Sequence, residues 1–340
     1  MILEWGDLDA RARGLSSRLL DREALFALAH ADGLPALGRS LPVEFRPSAL
    51  AEPKDLTAIE IERAVRAHAA GLLAVLARWA DRRRPALAVI FEEEDRRSVR
   101  ALLRGAAGSV PSERRVAGLI PTPTLPEPAL ADAAEADSPQ AVLERLASRG
   151  QPDAGPAAAA ARGIAPDLFR VEAQLARGFA RRGVEAARKG GRRLRAYAAE
   201  VVDLENAWSV LLADGYGAEV PAAEVFIDGG RAMDRDRFLR AAGADDPIER
   251  RRLVAEAFAG TALEAPFADP ASPQTKLEAA VLRARIDEQR IAGRVDPLGP
   301  APLLEFALRL RAQVLDFQVV AWGVALAAPP DVMAAELVVR

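Results

Sequence analysis

Apolar residues recur along this chain at alternating steps of three and four, and the clearest stripe is Leu194, Tyr197, Val201, Leu204, Trp208 and Leu211. That spacing predicts a helix of about five turns with one buried face. The stripe ends at Ala213-Asp214-Gly215-Tyr216-Gly217, where glycine permits the left-handed backbone of a helix C-terminus. Val220-Pro221 then starts a short new segment. Asp203 and Asn206 sit three apart at the stripe's edge, close enough to share a polar contact.

The same periodicity predicts helix over 6–28 (Leu8, Leu15, Leu19, Leu25, Leu28), where Asp21 can cap a second segment, and over 56–79. In the latter, Ile59, Val65, Leu72, Leu73, Leu76 and Trp79 form the buried face, and Arg82-Arg83-Arg84-Pro85 breaks it. Helix is also predicted over 167–188, 277–291 and 302–322, the last about 30 Å long with Leu303, Phe306, Leu310, Val314, Phe317 and Val320 inward. The four prolines of 121–128 (PTPTLPEP) cannot continue a helix and read as a linker. Residues 150–166 are a second break, a short alanine-rich helix or a mobile loop, and further breaks fall at 266–273 and 297–302. Short extended pieces fit only at Gly118-Leu119-Ile120 and Val225-Phe226-Ile227.

The central block repeats. An earlier copy has Asp95 and Ser98, then Leu102-Leu103-Arg104-Gly105, Gly108 and Val110-Pro111, and a later one has Gln313 and Asp316, then Ala321-Trp322-Gly323 and Pro329-Pro330. The offsets are 203 − 95 = 108 and 313 − 203 = 110. A second marker (LDREALFALAHAD from Leu20, LPEPALADAAEAD from Leu125, MDRDRFLRAAGAD from Met233) is spaced by 105 and 108. Agreement between two markers divides the chain into three tandem units: 1–124 with an added N-terminal helix, 125–232, and 233–340. Each is of ordinary domain size.

Composition narrows the class. Hydrophobic residues make up 50% of the 340 but aromatics only 5%, so alanine carries much of the apolar content and the fold is expected to be all-α. A net charge of −3 gives no general attraction to nucleic acid or an anionic membrane. The absence of cysteine excludes disulfides, thiolate metal sites and cysteine nucleophiles. The start, Met1-Ile2-Leu3-Glu4-Trp5-Gly6, lacks the features of a signal peptide, and the longest apolar run, 319–328, is too short to span a bilayer. A cytoplasmic protein is therefore expected.

Candidate chemistry is sparse. His30 and His68 are the only histidines and neither has a second ligand at metal spacing, so both read as packing residues. The carboxylates from Glu92 to Asp95 are neutralised by adjacent arginines and lack a loop of alternating oxygen ligands. Phosphate-cradling and nucleophile-elbow motifs are absent. No metal, cofactor or catalytic residue is expected. Glu92 with Arg96 and Glu93 with Arg97 form i,i+4 pairs in the favourable order, which reads as a solvated salt-bridge face, or else a polar cluster fixing helix packing. The basic stretch Arg181-Arg182, Arg188-Lys189, Arg192-Arg193-Arg195 and the run Arg250-Arg251-Arg252 read as solvated faces or contacts for an acidic protein. Nucleic-acid binding is disfavoured, because Tyr197 is the only aromatic close to the main stretch.

The opening WGDLDARARGLSSRLLDREAL and the repeated block (Asp95, Ser98, Arg104-Gly105), an acidic residue, a polar one three on and an Arg-Gly stop, carry a likeness. They resemble the family of central-stalk linkers of V-type and A-type rotary ATPases known as the C or d subunits. The resemblance spans essentially the whole chain. The second copy keeps Asp203 and Asn206 but has Leu212 in place of arginine, and the third has Gln313, Asp316 and Trp322. The resemblance implies three similar helical units as a pseudo-threefold funnel, its wide end on the membrane proteolipid rotor ring and its cavity receiving the tip of the central shaft. It implies a non-enzymatic stalk protein, peripheral at the membrane through the ring. Arg96, Arg97, Arg100 and Arg104, clustered on the copy most like the family, are the expected shaft contacts. A helical scaffold outside any rotary machine is the alternative.

Overall fold

The computed structural model describes residues 4–47, 56–162, 167–212, 222–269 and 273–339. Among these residues every regular element is helical and no strand forms. The chain opens with α1 (Gly6–Ser16), α2 (Arg22–Ala29), α3 (Gly33–Ser40) and a 3-10 turn at Val43–Phe45, then makes a long hairpin of α4 (Ala58–Ala80) and α5 (Arg84–Ala107), followed by the short α6 (Ser112–Arg115). Next come α7 (Glu127–Ala134), α8 (Pro139–Ser148), α9 (Ala154–Ala160), the long α10 (Leu168–Ala187) and α11 (Gly191–Leu212), and the short α12 (Ala222–Val225). Last are α13 (Arg235–Ala242), α14 (Pro247–Ala257), α15 (Glu264–Phe267), the long α16 (Gln274–Val295) and α17 (Ala301–Ala325), and α18 (Pro330–Glu336). From α2 onward, the order of three short elements, two long helices and one short helix occurs three times.

Local chemistry starts and stops these helices where the sequence says it should. The Asp21 carboxylate accepts from the Ala24 N–H, and Thr57 and Glu60 form a reciprocal capping box on α4. Asp81, at φ 46, turns the chain between α4 and α5, and Pro85 opens the next helix. The Ala213–Gly217 stop and Val220-Pro221 restart lie outside the described residues, as do parts of the breaks at 150–166 and 266–273. The two expected extended pieces are not strands: Leu119 and Ile120 are buried irregular backbone, and Val225 ends α12. The 121–128 segment is non-helical up to Pro126, with Thr122 and Leu125 buried in it, and α7 begins at Glu127. Trp79 departs from the expected buried face of α4, with 52% of its surface exposed.

Cross-helix bonds fix how the hairpins stand. The Trp322 indole N–H near the end of α17 donates to Glu62 near the start of α4 at 3.0 Å. Arg104 near the end of α5 meets Glu172 near the start of α10, and Arg193 near the start of α11 meets Gln289 near the end of α16. Adjacent hairpins are therefore antiparallel partners, and all three hairpin corners lie at one end of the molecule. The start of α1 is tied to that end by Arg83, which donates to the Asp7 carboxylate and to the Glu4 carbonyl.

The first two short helices of each set dock on a neighbouring hairpin rather than their own: α7 and α8 on α5, α13 and α14 on α11, α2 and α3 on α17. A buried aspartate on each of those long helices holds the segment that follows. Asp95 accepts from the Thr122 and Thr124 hydroxyls at 2.5 and 2.6 Å. Asp203 accepts from the Arg231 and Met233 N–H groups, both at 2.8 Å, and Asp316 from those of Val338 and Val339. Gly230 lies so close to Asp203 that a Cβ there would stand 2.2 Å from its Oδ1. Asp203 and Asn206 thus share no bond; Asn206 instead exchanges two 2.9 Å hydrogen bonds with the Ile227 backbone. In the last hairpin it is Asp316 that matches Asp203, whereas Gln313 accepts from the Leu20 N–H. Most of the core falls into three large apolar clusters, one around α4 and α17, one between α5 and α10, and one between α11 and α16.

Candidate functional site

On α5, Glu93, Arg97, Arg100 and Arg104 follow at steps of four, three and four, the spacing of a helix face that looks inward. That face, with parts of α11, α16 and α17, encloses a cavity of about 390 Å³. Arg96, Arg97, Arg100 and Arg104 all line it, joined by Glu205 and Trp208 from α11, Glu278 and Arg285 from α16, and Arg311 from α17. Side-chain exposure along α5 is 4% at Glu93, 9% at Arg96, 26% at Arg97, 20% at Arg100 and 39% at Arg104, least at the first and greatest at the last. The floor is therefore at Glu93 and the mouth at Arg104, pointing away from the hairpin corners.

Every wall arginine faces a carboxylate. Arg96 pairs with Glu205 at 2.5 Å, and Arg100 reaches Glu205 at 2.7 Å and Glu172 at 3.3 Å. Arg104 grips Glu172 through two parallel 2.9 Å hydrogen bonds, the bidentate geometry that gives an arginine–carboxylate pair its strength and direction. At the floor, Glu93 accepts from Arg285 at 2.7 Å and from the Tyr197 hydroxyl at 2.6 Å and pairs with Arg97, while Arg285 also donates to Glu200 at 2.7 Å. The Arg311 guanidinium donates to the Gly118 carbonyl at 2.6 Å.

These environments move the titrations. Burial opposes a charge on Glu93, but Arg285 and Arg97 hold its carboxyl well below the usual range. Burial likewise opposes the Glu205 charge, and Arg100 and Arg96 overcome it. Burial lowers Arg96 to about 10 against the pull of Glu205. Glu200 is pushed up to about 7 by burial and by Glu288 across the α11–α16 seam, with Arg285 opposing.

The solvated salt-bridge face expected for 92–97 is thereby corrected. Glu93, Glu94, Asp95 and Arg96 are all buried, and the cluster joins helices. Glu93 and Arg97 do pair, but Glu92 turns to Arg182 at 2.9 Å and Arg96 crosses to α11, so Glu92 and Arg96 do not. Sequence reasoning missed Glu172, Glu205, Arg285 and Arg311. The signal that could have found Arg285 and Glu205 is their place at apolar-stripe positions of α16 and α11.

The other sequence candidates lie elsewhere. Arg182 bridges Glu92 and Asp153, while Arg188, Lys189, Arg192 and Arg195 are exposed around the corner between α10 and α11. Arg250 is buried and donates to the Ala244 carbonyl, and Arg252 pairs with Glu249 at 2.6 Å. His30 stands edge-on to Phe26 and His68 edge-on to Phe45. Among the described residues no group of three His, Cys, Asp or Glu side chains could hold a metal ion, and no helix is long and apolar enough to cross a membrane.

Chemically the cavity presents donors that an incoming acid can engage, set in walls whose own charges are balanced. Such a surface suits recognition and rigid attachment. No curated protein matches the chain significantly. The family model for the ATP synthase (C/AC39) subunit matches residues 8–336 of its 340. With that match over nearly the whole length, the chain belongs to the ATP synthase (C/AC39) subunit family and is a subunit of a V/A-type ATPase.

Proposed function

We propose that the chain is a non-enzymatic central-stalk subunit, a socket that links the rotating shaft to the membrane rotor ring and transmits torque for ATP-coupled proton or sodium transport. The observation that carries this reading is the arginine-lined cavity, open at one end and walled by one or both long helices of each hairpin. An acidic side chain on the tip of a shaft helix would engage Arg100 and Arg104 at the cavity mouth.

The threefold order of elements and the three equivalent aspartate anchors support a division into units 1–124, 125–232 and 233–340, arranged as a pseudo-threefold funnel. Ion pairs across the hairpins supply the stiffness that torque requires, and no catalytic group is needed. Peripheral attachment to the membrane then comes through the ring.

Arg104 gives the direct test, since it is the most exposed of the four wall arginines. Arg104→Glu is expected to weaken binding to the purified shaft at least tenfold with an unchanged circular dichroism spectrum. Unchanged shaft affinity would remove the cavity from the interface.

A further inference from the structure

The ion pairs around the cavity are not evenly divided between its inside and its outside. Besides the four arginines of α5, Arg285 and Arg311 border it, whereas among the described residues three carboxylates do: Glu93, Glu205 and Glu278. The balance is made up by Glu94, Glu172 and Glu200, which hold Arg97, Arg104 and Arg285 without bordering the cavity themselves. The interior therefore presents six guanidinium groups to three acids. Held from behind, these arginines are fixed in place before any ligand arrives, which lowers the cost of binding an anion.

Two of the six are short of counter-charge. Arg96 is nine-tenths buried, yet its Nε has no hydrogen-bond partner among the described residues. Arg311 donates to the Gly118 carbonyl, but the carboxylate it faces, Glu94, stands off at 3.8 Å, beyond hydrogen-bond range. Burial lowers both guanidiniums below the usual arginine range, Arg96 to about 10. Glu94 also takes Arg97 at 2.5 Å, so Arg97 of α5 and Arg311 of α17 flank one carboxylate and form a clamp from two different hairpins. Arg100, about one turn further along α5, extends the clamp toward the mouth.

A volume of about 390 Å³ falls within the range of roughly 300–1,000 Å³ usual for small-molecule sites. An anion that meets guanidinium groups from two helices at once needs more acceptor oxygens and more charge than a single carboxylate has. Each phosphate group brings three acceptor oxygens and about 1.5 to 2 negative charges, so two joined phosphates match the excess of three cations on the wall. Leu204, Trp208 and Val281 add apolar surface beside the charges.

We propose that the cavity is also a binding site for a diphosphate group, free or carried by a nucleotide, held between Arg97, Arg100 and Arg311. This deepens the socket reading, because the shaft's acid and the diphosphate both need Arg100 and so compete. The competition rests on that reading; the anion site does not.

Isothermal titration calorimetry of the full purified chain with pyrophosphate and with ADP, at fixed ionic strength, tests the site without the shaft. Binding of one diphosphate per chain is expected. Tighter binding of ADP, with a change in the fluorescence of Trp208, assigns the site to a nucleotide, and equal affinities assign it to the diphosphate alone. Arg311→Gln should weaken binding about tenfold to a hundredfold, the effect of losing one hydrogen bond to a charged group, while Arg311→Lys should retain most of it. Circular dichroism checks that the variants fold, and Arg100→Gln repeats the test should Arg311→Gln fail to. No binding at millimolar pyrophosphate, equal displacement by sulfate (an adventitious ion only), or undiminished binding by the folded glutamine variants overturns the proposal. Saturating pyrophosphate should weaken shaft binding, and an unmoved shaft affinity overturns the competition. If pyrophosphate fails to bind while Arg104→Glu still weakens the shaft, the anion site is wrong and the socket reading stands; if pyrophosphate binds and the shaft does not, the reverse holds.

Discussion

Arg285 on α16 donates to Glu93 on α5 at 2.7 Å across 192 positions of sequence, at the floor of the cavity, where both side chains are almost fully enclosed. Tyr197 of α11 completes the junction through its hydroxyl on the same carboxylate. One buried acid thus ties together helices from all three hairpins. Removing one partner of a buried ion pair leaves the other charge uncompensated, at a cost of about 3–5 kcal/mol. Arg285→Met should therefore lower stability by about that much in chemical denaturation, while Glu93→Leu combined with Arg285→Met should recover part of the loss, since Glu200, Arg97 and the Tyr197 hydroxyl each still lack one partner. A single variant as stable as the parent would mean that the junction does not hold the hairpins.

The aspartate anchors predict a local effect. Asp203→Ala takes the acceptor from the Arg231 and Met233 N–H groups, and each buried unpaired donor costs about 1–3 kcal/mol. Hydrogen exchange should accelerate at those two amides first. Gly230→Ala should act in the same direction, because its Cβ would displace the Asp203 carboxylate. Exchange that stays slow in both variants would contradict the anchor.

Asp9 predicts a pH effect of definite sign. It is 1% exposed on α1, its carboxylate oxygens have no hydrogen-bond partner among the described residues, and burial raises its pKa from 3.8 to about 7, with Arg13 opposing and Asp296 adding to the rise. The folded state then holds a proton that the unfolded state releases, so this group's stabilising contribution is present below about 3.8 and is lost as pH rises to about 7. At about 1.4 kcal/mol per pKa unit, the upper bound is about 4 kcal/mol. Asp9→Asn should gain on the parent steadily between pH about 4 and about 7 in thermal melts. Parallel melting profiles for the two proteins would contradict this.

The capping box gives a smaller, cleaner number. Thr57→Ala removes the side-chain acceptor from the Glu60 N–H and should cost about 1 kcal/mol. Denaturant titration should show a lower midpoint at an unchanged slope. No change would show that α4 is held by packing alone.

What the sequence revealed and what it hid follow from the range of each interaction. Apolar periodicity placed α4, α10, α11, α16 and α17, because each long helix buries a stripe and the stripe is written locally. Asp21 was legible as a cap for the same reason. Arg96 was not assignable, since its local partner Glu92 and its actual partner Glu205 differ only in which helices meet. The rule of i,i+4 pairs describes an isolated helix, and α5 is not isolated: its charged face is an interior one. Asp203 and Asn206 looked like partners at three residues' distance, yet a segment more than twenty residues on offered backbone donors and an acceptor that a buried polar side chain needs. Trp79 misled in the opposite sense: the buried stripe of α4 runs on through Leu76, Ala77 and Ala80, and Trp79 falls beside it.

Isolation of the native complex in mild detergent, with the bound proteins identified, tests the central claim most directly. The socket account predicts recovery of this chain with a proteolipid ring and a coiled-coil shaft protein, and loss of the shaft alone when Arg104 is reversed to glutamate. Recovery of the chain by itself, or with unrelated soluble proteins, would contradict it.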